Sequence, residues 1–421
     1  MNKPSDLTVS GNRQIVPLLV VNFINSLGFS IVIPFLVFVV DDFGGNGILY
    51  GFILAAYPFF QLIGSPVLGN WSDKYGRRKI LALSQAGTLF SWLVFLLAFY
   101  VKRTVLISFD SGLLGGLVLT LPIIMLILAR VLDGLTGGNI SVANAYLADI
   151  SKEGNRKSNF GKMSASSGIG FIVGPAMAGI LGSTSYGYVV PVIAAALISV
   201  IGLSLIYFWL PELKIREEHQ RPKGDNGIPW KAILHMPYIP LMLILYFLIF
   251  LGFNFFYPAF PIHAMEVYEW DVGQVGLFFA YLSGMMVLVQ GILLPKISGY
   301  FSEVFLIITG SAILGLNFII LAYGNAGLTY VAAVLFALGN GIMWPSFLAL
   351  LASLAGDKLQ GVIQGLGNSF GSLASVIGLI LAGLLYDIIQ GKTFLVAAII
   401  IFLVFLSSWY LTRCKPSSDP P

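Results

Sequence analysis

Apolar runs of about 20 residues or more, the length that crosses a hydrocarbon core as an α-helix, follow one another along almost the whole chain. Short polar stretches separate them. Twelve helices are predicted from these runs, at 14–40, 48–70, 80–101, 113–149, 160–184, 188–210, 236–262, 273–297, 304–323, 328–354, 360–386 and 393–412. The runs are continuous and lack a period-two alternation, which excludes a transmembrane β-barrel. Pro34, Pro58, Pro66, Pro175, Pro258, Pro261 and Pro345 fall inside them. Membrane bundles tolerate interior prolines because neighbouring helices satisfy the freed backbone groups. The fourth run is longer than a bilayer requires, so its helical start is open. Met1 to Arg13 is polar and the run after it is too long for a signal peptide, so 14–40 is expected to be the first span.

The longest polar stretch, Glu212 to Lys231, carries Lys214, Arg216, Arg221, Lys223 and Lys231, with six runs on each side. It divides the chain into an N-terminal six-helix bundle (1–210), a linker (211–235) and a C-terminal six-helix bundle with a short tail (236–421). A shift of 204 residues lays the fourth and fifth runs on the tenth and eleventh. Gly137, Gly161, Gly174 and Gly179 then meet Gly341, Gly365, Gly378 and Gly383, and Ala145, Leu147 and Ala148 meet Ala349, Leu351 and Ala352. The expected fold is therefore all-α and integral to the membrane: twelve transmembrane helices in two six-helix bundles related by an internal repeat. In that plan substrate binds between the bundles near the midplane.

Composition agrees. The chain is 57% hydrophobic and 10% charged, with a mean hydropathy of +0.89, whereas soluble domains carry about 25% charged residues. The net charge of +4 resides in short loops and does not suggest nucleic acid. Cys414 is the single cysteine, so no intrachain disulfide forms and no metal site is expected. With both termini placed inside, nineteen of the 23 lysines and arginines fall on the inner face. Lys102, Arg103 and Lys392 fall outside, and Arg130 lies within a span. This bias predicts cytoplasmic termini in a cell (inner or plasma) membrane.

The loop between the second and third runs reads Gly69-Asn-Trp-Ser-Asp73-Lys-Tyr-Gly76-Arg77-Arg78-Lys79. A positive inner loop explains its basic residues but neither Gly69 nor the acid before them. The sequence here resembles the signature loop of the major facilitator superfamily. The preceding Tyr57-Pro-Phe-Phe-Gln61-Leu-Ile-Gly-Ser65-Pro66-Val67-Leu68 is similar to the tetracycline/proton antiporters and related multidrug exporters. The resemblance covers essentially the whole chain. It implies that Gly69 lets the second helix approach a neighbour, that Asp73 faces the positive end of the eleventh near Lys358 to Gly361, and that Arg77 pairs with Asp149. Together these residues would latch an inner gate; a static brace is the other reading.

Arg130 and Asp133 stand i,i+3 on one face of the fourth run. Asp149 lies 19 residues beyond Arg130, about 28 Å along a helix axis, so the pair is expected deep in the membrane. Charges there are costly and usually functional. The alternatives are a neutralised structural pair and, as the resemblance implies, a role in proton coupling or substrate handling. Gly134 and Gly138 form a Gly-x-x-x-Gly packing pair. Gly170-Phe-Ile-Val-Gly174-Pro175-Ala-Met-Ala-Gly179 resembles the fifth-span motif of exporters in the same superfamily. One departure stands out: Asn25 occupies the first-span position where the tetracycline exporters carry an acid, and Leu379 replaces a proline common among relatives. Asn25 cannot titrate, which argues against tetracycline itself and leaves Asp133 as the carboxylate expected to carry a proton.

His219, His235 and His263 are expected at the surface. Asn22, Asn25, Tyr57, Gln61, Asn254, Tyr257, Asn340 and Trp344 are candidates to line an apolar cavity suited to an amphipathic organic compound. The expected function is proton-coupled efflux of such a compound by alternating access, by a monomer whose partners are its substrate, protons and the lipid bilayer. A facilitator or importer of a metabolite, and a non-transporting scaffold or receptor, are the alternatives. No cofactor is expected. No nucleotide-binding loop, HExxH or GxSxG occurs in a suitable context, so an enzyme is disfavoured.

Overall fold

The computed structural model describes residues 12–111, 115–137, 139–151, 155–212 and 236–413. The predicted linker and the site of Cys414 lie almost wholly outside the described residues. Among those residues ten helices are long and apolar enough to cross a membrane, and a shorter apolar one covers Ile15–Ser30. The last of the ten, Val362–Arg413, contains two spans. They are separated by a 3-10 turn at Gln390–Lys392, where Gln390 has a φ of 49°. Twelve spans result. They are numbered here in chain order.

Span one is helical over Asn12–Ser30, turns at 31–35 and resumes over Leu36–Asp42. The interruption follows from Pro34, whose missing N–H cannot bond back to Ser30; Ile33 N donates to that carbonyl instead (3.3 Å). Span two is Gly47–Tyr75 and span three Arg77–Ala98, with Gly76 at φ 105° making the reversal. A side chain is disfavoured at that angle.

Span four differs from its sequence reading twice. Its helix begins at Leu121, not 113, because Val105–Ser111 (β1) and Gly115–Thr120 (β2) form an antiparallel hairpin. Thr120 caps the helix by accepting from Ile123 N (3.5 Å), and Pro122 blocks its extension backwards. The span also breaks at Gly137, with helix over Leu121–Thr136 and again over Asn139–Ile150. Gly138 lies outside the described residues.

Spans five to nine are Arg156–Gly182, Val189–Trp209, Ile239–Glu266, Val272–Ile297 and Glu303–Tyr323. Span eight contains a π-helical turn at Val289–Leu293. Helical geometry is continuous over Ala326–Ile389, yet spans ten and eleven are antiparallel. Tyr246 touches both Trp344 (ring centroids 5.1 Å) and Asn368 (2.7 Å). Two turns of span seven further on, Phe253 meets Phe336 and Asn254 meets Ser375. Both pairs of positions are symmetric about residue 356, so the chain folds back there. Span twelve is Thr393–Ser408.

The internal repeat is visible in the packing. A Cβ at Gly174 would meet Ser30 and the Leu27 carbonyl of span one, and a Cβ at Gly378 would meet Asn254 and the Leu251 carbonyl of span seven. The 204-residue shift relates the two glycines, and their partners stand in matching order on spans one and seven, so equivalent contacts recur in the two halves. The halves touch at the end that bears the β-hairpin, the hairpin face. There span five meets span eight through Gly179 and Gly276, and span two meets span eleven through Gly47, Gly51, Leu379 and Gly383. At the opposite end, the basic face around Arg77, Arg78 and Lys79, the halves part. Among the described residues, Cβ positions at Gly161, Gly168, Gly284, Gly291 and Gly365 have no atom within 4 Å.

Candidate functional site

Asp133 lies on the last turn of span four before its break, on the floor of a cavity of ≈ 210 Å³. Gly137 at the break, Ile24, Asn25, Ser26, Gly28 and Phe29 of span one, Tyr57 and Gln61 of span two, Gln85 and Thr88 of span three, Phe171 of span five and Ser199 of span six complete the lining. All belong to the N-terminal half.

Arg130 stands behind Asp133, with Nη1 3.4 Å from Oδ2. Both are buried, at 3% and 5% exposure. The guanidinium does not line the cavity. It lies 5.1 Å from the Trp92 ring centroid and 5.7 Å from that of Phe95, so π faces and one carboxylate replace its water. Among the described residues its Nε and Nη2 have no partner. Thr88 hydrogen-bonds Asp133. The carboxylate thus faces the cavity while its counter-charge is screened from it.

The break in span four is itself braced. Gln61 Nε2 donates to the Gly137 carbonyl (3.0 Å) and to the Tyr57 hydroxyl (3.0 Å), and Ser84 Oγ donates to the Thr136 carbonyl. Side chains of spans two and three thereby satisfy carbonyls that the interrupted helix leaves free. Gly134 permits the approach: a Cβ there would stand 2.5 Å from the Tyr57 carbonyl. Phe29 packs on Tyr57 (5.0 Å) and Phe171 (5.8 Å), giving the cavity an aromatic wall.

Asn25, Tyr57, Gln61 and Asp133 are thus brought together, whereas the other cavity candidates stand elsewhere. Asn22 ties span one to span five through Met163 O (2.9 Å) and Ser167 Oγ (2.7 Å). In the C-terminal half Asn254 donates to Phe250 O and Ser375 Oγ, Tyr257 packs on Phe256, and Asn340 lies 3.9 Å from Met286 Sδ. Trp344 stacks among Tyr246, Phe250 and Phe347. None of these lines the cavity. His263 is buried, contrary to its surface assignment, because its Nδ1 is 2.9 Å from the Tyr386 hydroxyl and aromatic rings enclose it. Gln85, Thr88 and Ser199 were missed from the sequence. The polar cluster Ser84-Gln85-Ala-Gly87-Thr88 inside an apolar run was the available signal.

At the basic face Arg77 Nε is 3.0 Å from Asp149 and Nη1 is 2.6 Å from Asp73 and from Ser72 Oγ. Asp73 is 61% exposed and turned to Arg77 at the start of span three, within its own half. The side chains of Lys358 and Gly361, where its partner was expected, are outside the described set. Gly69 has Ser141 Oγ 3.9 Å from its Cβ position, so no close helix approach occurs there. Arg78 closes the C-terminal end of span six, donating to Ile206 O (3.2 Å) and Tyr207 O. Glu212, unmarked in the sequence, accepts from Arg78 N (3.3 Å), and its carboxylate fills the space beside Gly76. In span five Gly170 and Gly174 pack against span one and Gly179 crosses to span eight, with Pro175 between them.

A family model described as Major Facilitator Superfamily matches residues 18–379. The chain is 26% identical over 381 residues to the class D tetracycline resistance protein of Salmonella ordonez, covering 89% of this chain and 90% of that protein. It is 27% identical over 369 residues to multidrug resistance protein 1 of Bacillus subtilis, covering 87% and 88%. Among solved structures, a bacterial homolog of the human lysosomal transporter Spinster, inward-facing and unoccupied, superposes with a TM-score of 0.74 at 12% identity, covering 98% of this chain and 100% of that one.

Proposed function

The chain belongs to the major facilitator superfamily of multi-pass membrane transporters, and from that premise we propose that it exports a small amphipathic organic compound in exchange for protons. The observation that carries this reading is Asp133, a carboxylate on the cavity floor whose arginine counter-ion stands behind it, outside the lining. A proton and a cargo that both engage this wall cannot be held there equally well at once, which is the condition for exchange. Tyr57, Phe29 and Phe171 offer apolar rings, and Asn25, Gln61, Gln85 and Ser199 offer hydrogen bonds. That mixture suits an amphipathic compound better than a sugar or a phosphate ester.

The basic face is taken as cytoplasmic, with both termini inside. The cavity then belongs to a conformation closed outside and parted inside. The Arg77–Asp149–Asp73 cluster is taken as part of the inner gate. Its pairs within the N-terminal half exist while the basic faces are apart, so the latch across the halves would need Asp73 to leave Arg77 for span eleven.

The test is transport in proteoliposomes. An imposed proton gradient should drive members of a panel of amphipathic compounds, tetracycline included, against their own gradients, and a protonophore should abolish the movement. Accumulation that only follows the compound's own gradient would replace this reading with that of a facilitator.

A further inference from the structure

On the hairpin face a carboxylate of one half is seated on the end of a helix from the other. Asp387, near the end of span eleven, accepts from both of the first backbone N–H groups of span two: Gly47 N to Oδ1 at 3.1 Å and Ile48 N to Oδ2 at 2.9 Å. These are groups that a helix cannot satisfy itself, and they carry its positive dipole end. Gly47 is required for the seat, since a Cβ there would overlap Asp387 Oδ1. Just below, Gly51 and Gly383 bring the same two helices into backbone contact. Among the described residues no lysine or arginine pairs with Asp387.

We propose that Asp387 is a proton-releasable latch on the hairpin face, closed when ionised and opened when protonated. An ionised carboxylate accepts at both oxygens, so both N–H groups are matched. Protonation turns one oxygen into a hydroxyl whose hydrogen confronts an N–H, and removes the charge that the helix end favours. One contact is lost and the other is weakened. The cluster around the latch sharpens this response. On span seven Glu266 interacts with both Asp387 and Asp41 of the 36–42 helix, and all three charges have the same sign. Tyr386, adjacent in sequence, is tied to His263 of span seven, and Lys392 is exposed in the turn that follows. In the closed state acids thus crowd the interface, with the two N–H groups as the partners of one of them. The device needs no knowledge of the cargo and stands apart from the exchange at Asp133.

The experiment is a distance measurement between spin labels at Tyr186→Cys and Lys392→Cys, both exposed on the hairpin face, in a Cys414→Ser protein reconstituted in lipid nanodiscs. As pH falls, the distribution should gain a longer component. Asp387→Asn should show that component at every pH, with the open-to-closed ratio raised about tenfold, the worth of one charge-assisted hydrogen bond. Asp387→Glu should keep the titration. Gly47→Ala keeps the carboxylate but fills its seat, and should open the face as Asp387→Asn does. A closed Gly47→Ala protein, or an Asp387→Asn protein with the wild-type distances and pH response, overturns the latch. So does a response lost in Glu266→Gln but kept in Asp387→Asn.

Discussion

Asp133 has no counterpart carboxylate in the C-terminal half. Under the 204-residue shift its counterpart in span ten is Ala337, and that of Arg130 is Val334. The charge pair is therefore confined to one half, although the helices that frame it are repeated. That asymmetry fits a proton site better than a brace, which the repeat would have had equal reason to keep in both halves. Asp133→Asn should lower gradient-driven transport by roughly 5–150-fold, the span of a typical coupling free energy, while leaving passive exchange of the same compound intact. The measurement is the ratio of driven to passive flux in proteoliposomes. Full driven flux in a well-folded variant would reduce the pair to a structural role, and a variant that misfolds would support the brace. At this scale the sequence was informative about charge and silent about direction. Two ionisable residues in an apolar run were visible as costly, and the i,i+3 spacing brought them together. The amides were not so easily sorted: Asn25 and Gln61 line the cavity, and Asn22 and Asn254 tie helices together. Which face of a membrane helix looks inward depends on its rotation against neighbours, and a span that is apolar all round carries little record of that rotation.

Elements were legible where hydropathy has length on its side. The predicted ends of spans ten and eleven, 354 and 360, bracket the fold-back at residue 356 that an unbroken helical geometry conceals. The β-hairpin was not legible, because Val105–Ser111 and Gly115–Thr120 are as apolar as the helix that follows, and short apolar runs do not distinguish strand from helix. The break at Gly137 was hidden for another reason: glycine in a membrane span signals close packing as often as interruption. The glycines of spans five and eight are the packing kind. Gly179 and Gly276 face each other where the halves meet, and a Cβ at Gly179 would stand 2.8 Å from the Gly276 Cα. Carbon atoms sit at about 3.5–4.0 Å, so Gly179→Val must force the helices apart by roughly 1 Å or more. The expected outcome is a longer spin-label distance across the hairpin face at every pH, with thermal stability of each half little changed. A Gly179→Val protein with wild-type distances would mean that the contact between spans five and eight does not hold this face closed.

For the whole molecule, the sequence yields twelve spans, two related halves and a charge bias, and the structure adds that the halves meet at one end and part at the other. Which end faces the cytoplasm decides whether the cavity is loaded from inside or outside, and so whether proton exchange means efflux. Orientation rests on electrostatics, through the positive residues in short loops. On the basic face Arg78 and Glu212 close helix ends, and Arg77 pairs with Asp149. Two exposed tyrosines offer a direct check. Tyr186, 81% exposed, follows span five on the hairpin face, and Tyr300, 85% exposed, follows span eight on the basic face. In a Cys414→Ser background, Tyr186→Cys should react with a membrane-impermeant maleimide in intact cells. Tyr300→Cys should react only after the membrane is opened. The reverse pattern would put the open cavity on the outer surface. The conformation described here would then load from outside, and the same exchange at Asp133 would have to be read as uptake.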